Sequence, residues 1–239
     1  MAQSESPLHH RVAEALSEGL KRARIPLIVI VAVGIAFVIG YTIYSEVNTK
    51  RTEKATALAE AVQTDFSNWK SESNTQKKQQ LAKTINTQID NILKHYPRTY
   101  AAQRALFVRA DLAYDDKNWK TAISSYEELA SRFPNSYLAP LSLVNAAAAA
   151  EEAGNPKKAI ELDKQVLNFK GLVPEIPGTI FALGRLYEGQ GNTKEADVYY
   201  NMLVNSYPSS GWTNLARDRI IFLAAQKEAT GPGILPTGK

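Results

Sequence analysis

The residues best suited to acid–base or metal chemistry in this chain of 239 residues are three pairs of adjacent carboxylates. They are Asp115-Asp116, Glu127-Glu128 and Glu151-Glu152. Neighbours on a helix point in different directions, so the two members of a pair do not converge on one proton or ion. Solvated surface is the simpler reading of all three. His9 and His10 lie in a short polar stretch near the start and His95 near a helix end, which does not supply a histidine metal site. There is no cysteine, which excludes disulfides, thiolate nucleophiles, cysteine-bound metals and a lipidated N-terminal cysteine. Gly189-Gln190-Gly191 lacks the preceding strand of a phosphate loop, and no serine comes with a triad pattern. The chain reads as a non-enzyme that needs no cofactor and no metal.

What must then be positioned is a surface. Its most visible constraint is the uncharged stretch Ile25–Ser45, 21 residues long. As a helix it would extend about 31 Å, close to the thickness of one hydrocarbon core. A 24-residue polar segment precedes it, and no small-x-small cleavage signal comes after it, so an uncleaved transmembrane helix is expected rather than a signal peptide. A soluble core helix would normally keep a polar face, and this one has none. Lys21, Arg22 and Arg24 abut its N-terminal end, while Lys50, Arg51 and Lys54 lie farther from the other. That asymmetry puts the N-terminus in the cytoplasm of a bacterial cell and the remainder in the periplasm, with the inner membrane between. Gly34 and Gly40 do not have the spacing of a close helix dimer.

The net charge of +4 is spread thinly, and basic residues alternate with acidic ones, so no nucleic-acid surface is expected. After the apolar stretch the chain reads as all-α. Ala55, Leu58, Val62, Phe66 and Trp69 form one stripe over Val47–Ser71, suited to packing or to dimerisation. The polar run Ser71–Gln76 breaks it. Lys77–Tyr96 resumes with Leu81, Ile85, Ile89 and Ile92 on one face, and Pro97 ends it.

An internal repeat organises the chain beyond Pro97. Ala122, Ala159 and Ala196 stand 37 residues apart, each shortly after an Asn, at 118, 155 and 192. A small residue there lets two helices approach closely. The third unit, Pro177–Ser210, carries Leu183-Gly184, Tyr187, Gly191-Asn192, Ala196, Tyr200 and Pro208. The first, Gln103–Ser136, carries Leu106, Ala110, Ala122, Tyr126 and Pro134, with Arg109 and Lys117 off pattern. The second, near Pro140–Leu172, keeps Ala146-Ala147, Gly154, Ala159 and Val166, and its closing proline is displaced. These units resemble the tetratricopeptide repeat, whose period is about 34 residues. The extra length is expected in loops around Ser136–Pro140 and Leu172–Gly178, where insertion disturbs no helix contact. Lys77–Pro97 fits the second helix of an earlier, degenerate unit, and Trp212–Lys227 fits a capping helix.

The resulting layout is a polar segment over 1–24, a transmembrane helix over 25–45, and a membrane-proximal helix and linker over 46–76. A tetratricopeptide-like solenoid with its cap occupies 77–227, then a flexible tail 228–239. The resemblance implies a protein-binding groove lined by first helices. Its positions map to Arg104, Phe107, Asp111 and Tyr114 in the first unit, and to Leu141, Val144, Ala148 and Glu151 in the second. In the third they map to Gly178, Phe181, Arg185 and Glu188. For Phe107 and Phe181, packing against a neighbouring helix is the competing expectation. The layout also resembles the ancillary subunits of the bacterial SecYEG translocon. That likeness implies a scaffold or chaperone-like role, with membrane proteins, periplasmic proteins, the translocon or client polypeptides as partners, and the bilayer contacted through 25–45. A structural subunit of a larger secretion, motility or cell-wall complex is the alternative.

Overall fold

The structure is a computed structural model that describes residues 7–230, with side chains over 24–228 except Leu27. The tail expected over 228–239 begins later, because the last helix continues to Thr230; positions 231–239 and the first six residues lie outside the described residues. Among the described residues every regular element is an α-helix: α1 (Pro7–Ser71), α2 (Thr75–His95), α3 (Tyr100–Asp115), α4 (Trp119–Arg132), α5 (Leu138–Glu152), α6 (Pro156–Val166), α7 (Ile176–Gly189), α8 (Thr193–Ser206) and α9 (Gly211–Thr230).

The chain divides into two units, Met1–Lys54 and Ala55–Lys239. In the first, one helix is long and apolar enough to cross a membrane, and none of its apolar window is buried. Thr42, one of its few hydroxyls, donates to the Val38 carbonyl oxygen at 2.8 Å, so that polar group is satisfied within the helix.

In the second unit, consecutive helices pair antiparallel and stack. From Ala55 onwards the stretch expected to be membrane-proximal enters the core: Ala55, Ala59, Val62, Phe66 and Trp69 are buried against Ile85, Ile89 and Ile92 of α2 and against α3. The stripe therefore serves packing within the chain. It acts as the first helix of the degenerate pair, with α2 as the second. The next pairs are α3/α4, α5/α6 and α7/α8, and α9 closes the stack through Ala216 and Leu223. Ala122, Ala159 and Ala196 are all fully buried at the pair interfaces.

The turn inside each pair repeats one geometry. Lys117, Gly154 and Gly191, spaced by the 37-residue period, hold left-handed φ of 57°, 70° and 74°. The adjoining Asn118, Asn155 and Asn192 each accept a hydrogen bond through the side chain from the third residue onward, at 3.3, 3.1 and 3.3 Å. This satisfies one of the free N–H groups at each helix start. Lys117 is the strained member of the series, because its Cβ crowds the backbone in this conformation. Lys117→Gly should raise stability by roughly 0.5 kcal/mol, the strain relief exceeding the added unfolded-state entropy. A urea midpoint that stays put or falls would count against that strain.

The joints between pairs also recur. Tyr96, Phe133 and Tyr207 end α2, α4 and α8 with φ of −129°, −131° and −133°, each donating its N–H to the carbonyl four residues back. A proline comes after each, and then Thr99, Ser136 or Ser210 accepts an N–H of the next helix. Pro140 is buried in the first turn of α5, so the expected loop over Ser136–Pro140 stops at Tyr137. The α6–α7 connection differs. Lys170-Gly171 replace the aromatic–proline pair, and the long loop occupies positions 167–175, starting before the expected Leu172–Gly178 stretch, whose last three residues already belong to α7.

Candidate functional site

The mapped residues of the first pair lie along α3. Arg104 is half-buried and its charge reaches the Tyr137 hydroxyl, which also bonds that of Tyr100 at 2.6 Å. Phe107 meets Tyr126 edge-on, with ring centroids 5.7 Å apart, so it is largely a packing residue. Asp111 accepts the Tyr126 hydroxyl at 2.5 Å, and burial raises its carboxyl above the usual range against the pull of that bond and of Lys70. Tyr114 packs edge-on against Trp119 at 5.1 Å. Burial and the nearby Glu152, Asp115 and Glu151 raise its hydroxyl.

In the middle pair, Val144 is half-buried against the main core, and Leu141 and Ala148 are similarly half-exposed. Glu151 is paired at 2.7 Å with Arg185, which comes from α7. In the third pair, Phe181 lies between Tyr200 at 5.7 Å and Trp212 at 5.4 Å, and Gly178 lies beneath the Trp212 ring. Glu188 accepts the Tyr200 hydroxyl at 2.9 Å and is also gripped by two nitrogens of Arg219 from the closing helix. The structure thus brings Glu151 with Arg185 and links Glu188 to α9. Arg104 and Tyr114 lie on the same helix without sharing a partner.

Two participants were not anticipated from the sequence. Arg219 ties up Glu188, which leaves the Glu151–Arg185 pair as the more open charged feature: the Arg185 side chain is half-exposed. Asp163 on α6 is the other. It is 2% exposed, its Oδ2 has no hydrogen-bond partner, and it stands in the repeat position held by Tyr126 and Tyr200. Burial pushes its carboxyl up to about 7, with Glu151 adding repulsion and Arg185 opposing. The 37-residue register contained the signal, because Asp163 is the polar exception in an aromatic column.

None of these groups assembles a reaction centre. Among the described residues no group of three or more His, Cys, Asp or Glu side chains is placed to hold a metal ion.

Comparison with known proteins agrees with the helix-pair architecture. The tetratricopeptide repeat-like domain family matches residues 21–220. A curated relative, the "TPR repeat-containing protein" of Treponema pallidum (strain Nichols), is 30% identical over 115 residues. That match covers 48% of this chain and 48% of the relative, so the chain spans about half the length of the relative it matches. Stacked helix pairs and a family match across most of the sequence describe a non-catalytic protein-interaction scaffold: the chain belongs to the tetratricopeptide repeat-like domain family.

Proposed function

We propose that this protein is a membrane-anchored scaffold that holds a partner polypeptide beside the bacterial inner membrane. The N-terminus lies in the cytoplasm and the repeat stack in the periplasm. The observation that carries the anchoring is the exposed apolar helix, in which Ile25, Phe37 and Tyr44 are 75%, 74% and 69% exposed with nothing of the described chain covering them. Water would penalise that surface and a bilayer would not. The groove candidates Arg104, Phe107, Asp111, Tyr114, Val144, Glu151, Phe181, Arg185 and Glu188 then form the partner-facing side of the stack. Apolar anchors and charge-assisted hydrogen bonds are what such a surface offers an extended segment or a helix. The likeness in layout to ancillary subunits of the SecYEG translocon supports a translocon-associated, chaperone-like role.

A second reading, permanent membership of a larger envelope complex, is favoured by one feature. Val198, Met202, Leu215, Ile221 and Phe222 on α8 and α9 are 40–68% exposed, apolar surface that a permanent neighbour would cover. A photo-crosslinking residue placed at Arg104, at Tyr114 and, as the outer control, at Lys157 separates the readings in intact membranes. Adducts with one recurring protein from the first two positions and few from Lys157, at roughly a tenfold difference in yield, are expected for groove binding. Equal yields from all three would sink the groove. Protease added to spheroplasts should digest the repeat stack, and protection would overturn the topology.

A further inference from the structure

The middle helix pair differs from its neighbours at one buried position, and the difference is chemical. In the α3/α4 pair the Tyr126 hydroxyl rises from the second helix to Asp111 at 2.5 Å, and Asn145 of the next first helix also faces that hydroxyl. In the α7/α8 pair the Tyr200 hydroxyl reaches Glu188 at 2.9 Å. In both pairs, then, a phenol from the second helix is the plug, its hydroxyl meeting a carboxylate of the first helix. At the corresponding point in α5/α6 the plug is missing and an acid stands in its place, Asp163.

Its surroundings leave that acid unmet. One period on from Asp111 and Asn145, the two residues that meet the Tyr126 hydroxyl, stand Ala148 and Ala182, neither of which has a polar side-chain atom. Both alanines are half-exposed. The neighbouring charges are Glu151 on α5 and Arg185 on α7, whose ion pair at 2.7 Å leaves two carboxylates to one guanidinium. A buried carboxylate with an orphan oxygen is costly, and it is relieved by a cation arriving with its own hydrogen bonds.

We infer that the middle pair is a subsite for a lysine side chain of the partner polypeptide. The methylene stem passes between Ala148 and Ala182, and the ammonium ends on Asp163 with Glu151 as second carboxylate. This rests on the groove as the partner-facing side and adds the chemistry that the groove selects. An unbranched stem suits walls made of alanine methyls, and a compact ammonium suits a site that already holds one planar guanidinium beside it.

The test uses the full chain with carbon-labelled aspartate and n-butylammonium as the lysine-side-chain probe, with n-butanol and sodium chloride at matched concentration as controls. Butylammonium should lower the titration midpoint of the Asp163 carboxyl by about half a pH unit, and the two controls should not. Asp163→Tyr restores the residue of the neighbouring pairs and is expected to fold. It should reduce the groove crosslinks from Tyr114 roughly tenfold, and Asp163→Asn should do the same with less change of shape. A midpoint that butylammonium moves no more than sodium chloride does overturns the subsite, as does a stronger response to n-propylguanidinium. If crosslinks from Tyr114 persist in both variants, the groove stands and the lysine subsite falls. If the wild-type chain gives no groove crosslinks while butylammonium still shifts Asp163, the groove reading fails and the cation site survives.

Discussion

Urea denaturation should show this protein losing stability as pH rises from about 4 to about 7, and Asp163→Asn should remove most of that loss. The Asp163 carboxyl has an ordinary value of 3.8 and is pushed up to about 7 in the folded chain, chiefly by burial. Between those values the folded state holds a proton that the unfolded state has released. Protonation thus favours folding: the stability is fully present below about pH 4 and is lost as pH climbs to about 7, after which the curve flattens. A shift of this size corresponds to at most about 4 kcal/mol. Asp111 is raised in the same direction, also by burial, and adds to the slope without sharing the substitution. Asparagine still leaves a buried polar group unpaired, at a cost of about 1–3 kcal/mol that does not vary with pH, so the slope is the quantity to compare. Urea midpoints for both chains at pH 5, 6, 7 and 8 decide the matter. Two parallel curves would show that Asp163 is solvated or already paired.

Two identical substitutions in α7 should have opposite signs. A Cβ built on Gly184 would sit 2.5 Å from the Tyr200 ring, closer than atoms approach, whereas one on Gly189 meets nothing within 4 Å. The Tyr200 ring has little freedom to yield, since it is fully buried, packed on Phe181 and tied through its hydroxyl to Glu188. Gly184→Ala should therefore destabilise the chain by about 1–3 kcal/mol through overpacking, even after the helix-propensity gain. Gly189→Ala carries only the propensity term and should stabilise by a few tenths of a kcal/mol near the helix end, up to about 1. Thermal melts of the two variants beside the parent give the comparison. A neutral Gly184→Ala would mean that α7 and α8 separate easily, as the register allows, because Ala110 occupies the same place opposite Tyr126.

Most of the architecture was readable from the chain because it is written twice, in hydrophobic period and in turn chemistry. The Asn residues at 118, 155 and 192, the alanines four residues later and the prolines after α2, α4 and α8 each fix a local geometry that tertiary packing then reuses. The first pair was harder to read. α2 has 21 residues where α4 has 14, so the period fails at its turn, and its first helix is the end of α1 with no break before Ala55. The partners of the groove residues were less legible still. Phe107, Val144 and Phe181 look equally suited to a ligand or a neighbour in sequence, and only packing decides. Arg219 belongs to a helix whose apolar residues announced a cap but whose reach to Glu188 depends on how α9 lies on α7. Asp163 sits in the run KKAIELDKQV, where it resembles any solvated acid until its column in the repeat is known.

The long connection between α6 and α7 has a use in protein engineering. Every other joint of the stack is keyed by an aromatic residue, a proline and a hydroxyl, so added residues there would undo several helix caps at once. At 167–175 no such key exists, and Leu172 projects wholly into solvent. Foreign sequence such as an epitope, a cleavage site or a dye-attachment point inserted beside Leu172 would interrupt no helix. The same place offers a natural cut for dividing the array into two fragments, each keeping its helix pairs whole, whose reassociation could then be studied in trans.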